Sequence, residues 1–249
     1  MPISSTKTSR VPATVFLSTG YIGLEREYWW DELDRLLLQS GTLPKVLSLN
    51  VNGSKYQWKL SKAAYQDAGA AQCRRCWRAW KVIFSSRYRL YRSISQLLHS
   101  LTESERQKVL EQLRVWADAE SVVRSTHRTL SLEEVVALAQ GELIEVGAHT
   151  VTHPALSALP TASQRREIVE SKAELEQILD QRVNSFAYPH GSLSTETAHI
   201  VREAGFTCAC SALAGLVGPS TDRFQLPRMQ VMDWDGEKFA RQLSRWFRD

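Results

Sequence analysis

The hydrophobic period of the second half of the chain changes every few residues. "LIEVGA" (143–148) is a short apolar run of strand type. "TASQRREIVESKAELEQILDQ" (161–181) has helical spacing instead, with Ile168, Leu175, Ile178 and Leu179 on one face. "SFAY" (185–188), "TETAHIVREAG" (195–205), "FTCACSA" (206–212) and "FQLPRMQV" (224–231) read as strand, helix, strand and strand, and "GEKFARQLSRWF" (236–247) as a closing helix. Strands alternating with helices predict a mainly parallel sheet or barrel, because parallel neighbours need a crossover that a helix supplies. In such sheets chemistry collects at the carboxyl ends of the strands.

The first half is less regular. Residues 12–19, within "VPATVFLST", read as a buried strand closed by Gly20. "YWWDELDRLLLQSG" places Leu33, Leu36 and Leu37 at helical spacing before Gly41. "KVLSLNVNG" (45–53) reads as a strand ending in a turn, and residues 61–118 as mostly helical. Three capping boxes mark helix starts: Thr102 with Glu105, Ser131 with Glu134, and Thr161 with Gln164.

Composition excludes some classes. The 249 residues are 43% apolar and 23% charged with a net charge of +4, ordinary for a globular chain. The basic excess is local: no acid occurs from Ala68 to Thr102, while Arg74, Arg75, Arg78, Lys81, Arg87, Arg89 and Arg92 do. Interleaved with Trp77, Trp80, Phe84, Tyr88 and Tyr91, these bases suit an amphipathic helix pair with a solvated face, or contact with an anionic glycan or membrane surface. A nucleic-acid partner is not expected from so mild a net charge. Cys73 and Cys76, and Cys208 and Cys210, are read as packed reduced thiols, since no histidine follows at zinc-finger spacing. No apolar run approaches the length of a membrane span and "MPISSTKTSR" has no signal-peptide core, so the expected location of the chain as given is the cytoplasm.

The stretch that carries chemistry is "IEVGAHTVTHPALSALP" (144–160), where His149 and His153 stand four apart at a strand end. That spacing lets two imidazoles reach one ion, and it equally suits two polar histidines satisfied by backbone and water. Context favours the first reading. His149, Thr150, Val151, Thr152, His153 and Pro154 match H-[ST]-x-x-H-P, and Phe186, Ala187, Tyr188, Pro189, His190 and Gly191 resemble F-x-x-P-Y-G. Together with "VPATVFLSTGYIG" and "YWWDEL", these motifs make the chain resemble the polysaccharide deacetylases, the NodB-homology domains of carbohydrate esterase family 4, over roughly residues 11–41 and 128–247.

The resemblance implies a distorted (β/α) barrel of the polysaccharide deacetylase type, N-terminally incomplete. It implies one NodB-homology-like domain over 1–249, with a helical insertion over 55–127. It also implies a divalent metal, most naturally zinc, held by His149 and His153, and removal of N-acetyl groups from a polysaccharide or lipid-linked sugar. His190, through its backbone N–H, and Arg228, through its guanidinium, take the catalytic positions, and Tyr188 is an expected glycan contact. Trp29 and Trp30 are read as glycan contacts through their aromatic faces or as core packing, with one expected inside and one partly out. His199, within a helix, is read as structural.

The chain departs from the family pattern in carrying no Asp-Asp pair, so neither the third metal ligand nor the general base has a matching residue. His190 stands for the usual tyrosine and Ala187 for a frequent arginine. A start at Met1 within a longer protein is one expectation. A catalytically inactive glycan-binding or assembly protein is the alternative, and a metal site completed by an unrecognised carboxylate or another chain is a third.

Overall fold

The computed structural model describes residues 10–39, 41–62 and 86–247. Cys73, Cys76 and most of the basic aromatic stretch lie outside them. The described residues cluster into two compact units. One combines the residues up to Ile22 with those from Leu130 onward; the other is Gly23–Thr129.

The first unit is a mixed α/β fold on a parallel sheet. Strands β1 (Ala13–Leu17), β4 (Ile144–Ala148), β5 (Ser185–Ala187) and β6 (Cys208–Cys210) lie in the order β1-β4-β5-β6, every pair parallel. Helix α4 (Leu132–Ala139) precedes β4, α5 (Thr161–Leu179) joins β4 to β5, and α6 (Thr195–Glu203) joins β5 to β6. The apolar face of α5 delivers Ile168 and Leu175 to a core that also holds Val146, Ala148, Phe186, Ile200, Val201, Phe206 and Ala209. A side chain at position 147 would not fit between strands: a Cβ on Gly147 would sit 2.6 Å from the Phe16 ring and 2.7 Å from Ser185 Oγ.

Two expectations for this unit change. "FQLPRMQV" is not a full strand. Leu226 bridges Cys210 in parallel fashion, with Leu226 N donating to Ala209 O and Ser211 N to Leu226 O, both at 2.8 Å. Pro227 then has no N–H to continue the ladder. The box at Ser131 and Glu134 forms, but Thr161 does not cap α5. The N-cap is Pro160, and Gln164 instead donates to Leu159 O and accepts from Thr197 Oγ1.

The second unit packs α1 (Trp29–Leu38), α2 (Ser86–His99) and α3 (Glu103–Trp116) with an antiparallel hairpin, β2 (Val46–Val51) and β3 (Ser54–Lys59). The stretch expected to be helical from residue 55 therefore opens on a strand. The sequence signal was Asn52-Gly53, whose positive φ values (51° and 81°) make the two-residue turn that matches strand twist. Leu33, Leu37, Leu47, Leu49, Ile94, Leu98, Leu110 and Leu113 form the core, and the Thr102–Glu105 capping box starts α3 as expected. Arg87 is buried and donates to the carbonyls of Gln39 and Gly41 just past α1. Arg124 makes a bidentate pair with Glu27.

Gly147→Ala should lower unfolding free energy by about 1–3 kcal/mol in denaturant titrations, the usual cost of overpacking. Phe16→Leu in the same background should restore part of the loss. An unchanged midpoint for Gly147→Ala would contradict the close approach of β1 and β4.

Candidate active site

The site lies where β4 and β5 end. The ladder carries one residue past β4, with His149 N donating to Leu17 O at 2.9 Å. The chain then reverses in a tight turn. Thr150 has φ 68° and His153 φ 58°, left-handed values that a β-branched residue and a histidine adopt only under constraint.

The constraint is visible atom by atom. Glu167, buried on α5, accepts from Val151 N at 2.9 Å, from Thr152 N at 2.8 Å and from Thr152 Oγ1 at 2.7 Å. Thr150 Oγ1, fully buried, accepts from His153 N at 3.0 Å. From beyond β1, Ser18 Oγ donates to His149 O, Thr19 N to Thr150 O and Gly20 N to Val151 O. A Cβ on Gly20 would meet Val151 O at 2.9 Å, which requires glycine there.

At the end of β5, Tyr188 is 1% exposed and its hydroxyl donates to Phe224 O at 2.8 Å. Its side chain is a core group and offers no face to a glycan, so that expectation is corrected. Pro189–Gly191 turns sharply, with His190 at φ 56° and Gly191 at φ 68°. A Cβ on Gly191 would fall 2.5 Å from Ala212 Cβ. A hydroxyl pair, Ser157 Oγ and Ser192 Oγ at 2.7 Å, ties the segment after His153 to the segment after His190.

Three of the six histidines meet here. The ring centroids of His149 and His153 are 4.8 Å apart, and those of His153 and His190 are 4.6 Å apart, both edge to face. His149 Nδ1 lies 2.6 Å from Ala187 O, which assigns the proton to Nδ1 and leaves the Nε2 lone pair as the donor. Burial, more than any other influence, pulls the His149 pKa down to about 4; nearby Arg228 and His190 act in the same direction, and the Ala187 carbonyl opposes them. His149 is therefore neutral at physiological pH, as a ligand must be. Arg228 donates through Nε to Ser211 O at 2.9 Å and sets its guanidinium 5.9 Å from the Phe16 ring centroid. Phe16 in turn lies 6.5 Å from the His149 ring.

The fit to a metal is partial. His149 and His153 supply two imidazole donors of the kind zinc takes. Among the described residues, no group of three or more His, Cys, Asp and Glu side chains is arranged to hold an ion. Glu167, the carboxylate bonded to this loop, is committed to the three donors above. Cys208 and Cys210 are free thiols on β6.

The other expected residues fall elsewhere. Trp29 belongs to the second unit and is 2% exposed, packed edge-on against His99 with the Arg106 guanidinium over its ring. It is a core residue, so of the two readings of Trp29 packing holds and glycan contact does not. Trp30 is half-buried and stacks on Tyr28 at 4.5 Å. His199 is exposed on α6, 3.4 Å from the Glu203 carboxylate. Glu167 gave no signal in the sequence, since a glutamate within a helix is ordinarily solvated.

Residues 101–209 match the family model for polysaccharide deacetylase. Similar solved structures include Streptococcus pyogenes deacetylase PplD in complex with acetate (20% identity, 53% of this chain and 62% of that one, TM-score 0.44). A polysaccharide deacetylase from Bacillus cereus aligns at 21% identity over 48% of this chain and 38% of its own, with a TM-score of 0.43. A CE4 family pseudoenzyme from Bacillus anthracis aligns at 26% identity over 31% of this chain and 27% of its own, with a TM-score of 0.30. The chain spans less than two thirds of the length of each of these three. Comparison with curated proteins gives no match.

Two outcomes are expected. Glu167→Ala strips a buried acceptor from two N–H groups and a hydroxyl, and should cost about 3 kcal/mol of unfolding free energy in denaturant. A neutral effect would mean the turn is not held by this carboxylate. The second outcome concerns pH. The folded pKa of His149 lies below its unfolded value, so the unfolded chain binds the extra proton first. This contribution is complete above about pH 6.5 and is lost as pH falls towards 4, with a span on the order of 3 kcal/mol. In His149→Asn the corresponding slope of stability against pH should shrink.

Proposed function

We propose that this protein is a metal-dependent hydrolase that removes N-acetyl groups from a polysaccharide or a lipid-linked sugar. The observation that carries the reading is the imidazole pair at the end of β4: two rings 4.8 Å apart, one oriented by Ala187 O and kept neutral by burial. The family match over residues 101–209 supports the substrate class. His149 and His153 would hold a divalent ion, zinc being the natural choice for imidazole donors. Bound there, the ion supplies Lewis-acid polarisation of the acetamide carbonyl.

The remaining roles belong to the chain itself. The His190 backbone N–H, in the Pro189–Gly191 turn, would serve as a donor to a developing oxyanion. Arg228, held by Ser211 O, brings fixed positive charge to the His149 side of the site. A lipid-linked substrate is favoured by the loop packed on Gly191 through Ala212, where Leu213 and Val217 are 63% and 62% exposed. Trp30, half-buried and stacked on Tyr28, is the remaining tryptophan candidate for a sugar contact within its own unit. The helical unit Gly23–Thr129 is an insertion between two segments of the catalytic unit. Contact of the basic stretch with an anionic surface rests on residues mostly outside the described ones.

Glycan binding without turnover is the second reading. It is favoured by the commitment of Glu167 to backbone and hydroxyl donors, which removes it as a third ligand or base.

The test is acetate release from an N-acetylated glycan with zinc or cobalt added, alongside metal stoichiometry. His149→Ala and His153→Ala should each reduce bound zinc per chain to near zero and abolish acetate release. Undiminished zinc in both variants would remove the metal site. Zinc and glycan binding with no acetate would establish the second reading.

A further inference from the structure

The hairpin of the second unit has two edges, and the protein treats them differently. Leu60 N donates to Lys45 O at 2.8 Å, which extends the antiparallel register and makes Leu47/Trp58, Leu49/Tyr56 and Val51/Ser54 the bonded pairs. The backbone groups of Val46, Ser48 and Asn50 on β2, and of Lys55, Gln57 and Lys59 on β3, therefore point away from the hairpin. On the β2 side, helix α3 closes the edge. Gln112 stands in for a strand: its Oε1 accepts from Asn50 N at 2.8 Å and its Nε2 donates to Asn50 O at 3.0 Å. Trp116 Nε1 donates to Val46 O at 2.7 Å. On the β3 side, none of the described residues bonds the outward N–H and C=O groups of Lys55, Gln57 and Lys59, and all three residues are exposed.

The side chains along the open edge sort by face. Lys55, Gln57 and Lys59 share the solvent face, where Gln57 Nε2 donates to Ser48 Oγ at 3.2 Å. Tyr56 and Trp58 share the other face with buried Leu47 and Leu49; their rings stack at 6.1 Å, and Tyr56 is 38% exposed. The charge is of one sign. Residues 45–62 hold Lys45, Lys55, Lys59 and Lys62 and no Asp or Glu. Glu105, which reaches the turn of the hairpin, is committed to Asn52 Nδ2 and to the cap of α3 at Thr102. Lysines on an edge strand repel another strand of the same kind. Two copies of β3 paired antiparallel about Gln57 would set Lys55 of each opposite Lys59 of the other, and like charges directly opposite destabilise a sheet. The same two lysines, four residues apart on one face, select an acidic strand instead.

We propose that the β3 edge docks an extended acidic segment of another protein as a third strand of the hairpin. The segment's backbone bonds to Lys55, Gln57 and Lys59, two carboxylates four residues apart face the two lysines, and the apolar side chains between them lie along Tyr56 and Trp58. The proposal is independent of the histidine site.

Fluorescence anisotropy of the full chain with a labelled, end-blocked peptide, Thr-Glu-Val-Thr-Val-Glu-Thr, tests it. Saturable binding is expected at ~0.1 M salt and should fade by ~0.5 M. Lys55→Glu combined with Lys59→Glu should weaken it about tenfold or more, and should transfer the preference to the peptide with lysine in place of both glutamates. Gln57→Pro removes an outward N–H and leaves the bonds to β2 in place, so it should also weaken binding about tenfold. Circular dichroism checks that the variants fold, and the charge reversal, confined to two exposed side chains, decides the matter by itself. Absence of saturable binding below ~1 mM overturns the proposal. Equal binding of the peptide with proline at its centre also overturns it, because that would be ionic contact without strand addition. So does a charge-reversed variant that still prefers the acidic peptide.

Discussion

One carboxylate holds the turn on which the site depends. Thr150 and His153 occupy left-handed backbone wells, and a β-branched residue there costs on the order of 1–3 kcal/mol. The turn persists because Glu167 gathers the N–H groups of Val151 and Thr152 and the Thr152 hydroxyl, while Ser18, Thr19 and Gly20 bond it from the other side. Each partner comes from a different element, α5 or the end of β1. The position of the two imidazoles is therefore set by the packed sheet and not by the six residues of the motif.

Burial does two things to His149 at once. It lowers the basicity of the ring, and it presses Nδ1 against a carbonyl that fixes the tautomer. A solvated histidine would offer either nitrogen and would carry a proton part of the time near neutrality. Here the fold removes both ambiguities, which is how a sheet terminus turns a common side chain into an oriented donor. The same end of the sheet brings His190 against His153, an approach that depends on Gly191 lying where no Cβ would fit.

The second unit shows how charge can mislead. Arg87 is buried with its guanidinium on two carbonyls, Arg106 donates to Leu98 O beneath Trp29, and Arg114 and Arg124 pair with Glu32 and Glu27. These cations satisfy backbone and carboxylate groups that would otherwise be stranded.

The sequence by itself determined the alternation of strands and helices, two of the three proposed capping boxes, and the histidine pair at a strand end. These are local: they depend on side-chain period, on residues three apart, or on a short motif. Tertiary structure alone decided that Leu226 bridges β6 without a full strand, that Tyr188 and Trp29 are core groups, and that Glu167 faces inward to clamp the turn. Each of these depends on what lies opposite in space. A glutamate, a tyrosine or a tryptophan has the same letters whether it faces water or another strand, and only the packing of distant segments selects between the two.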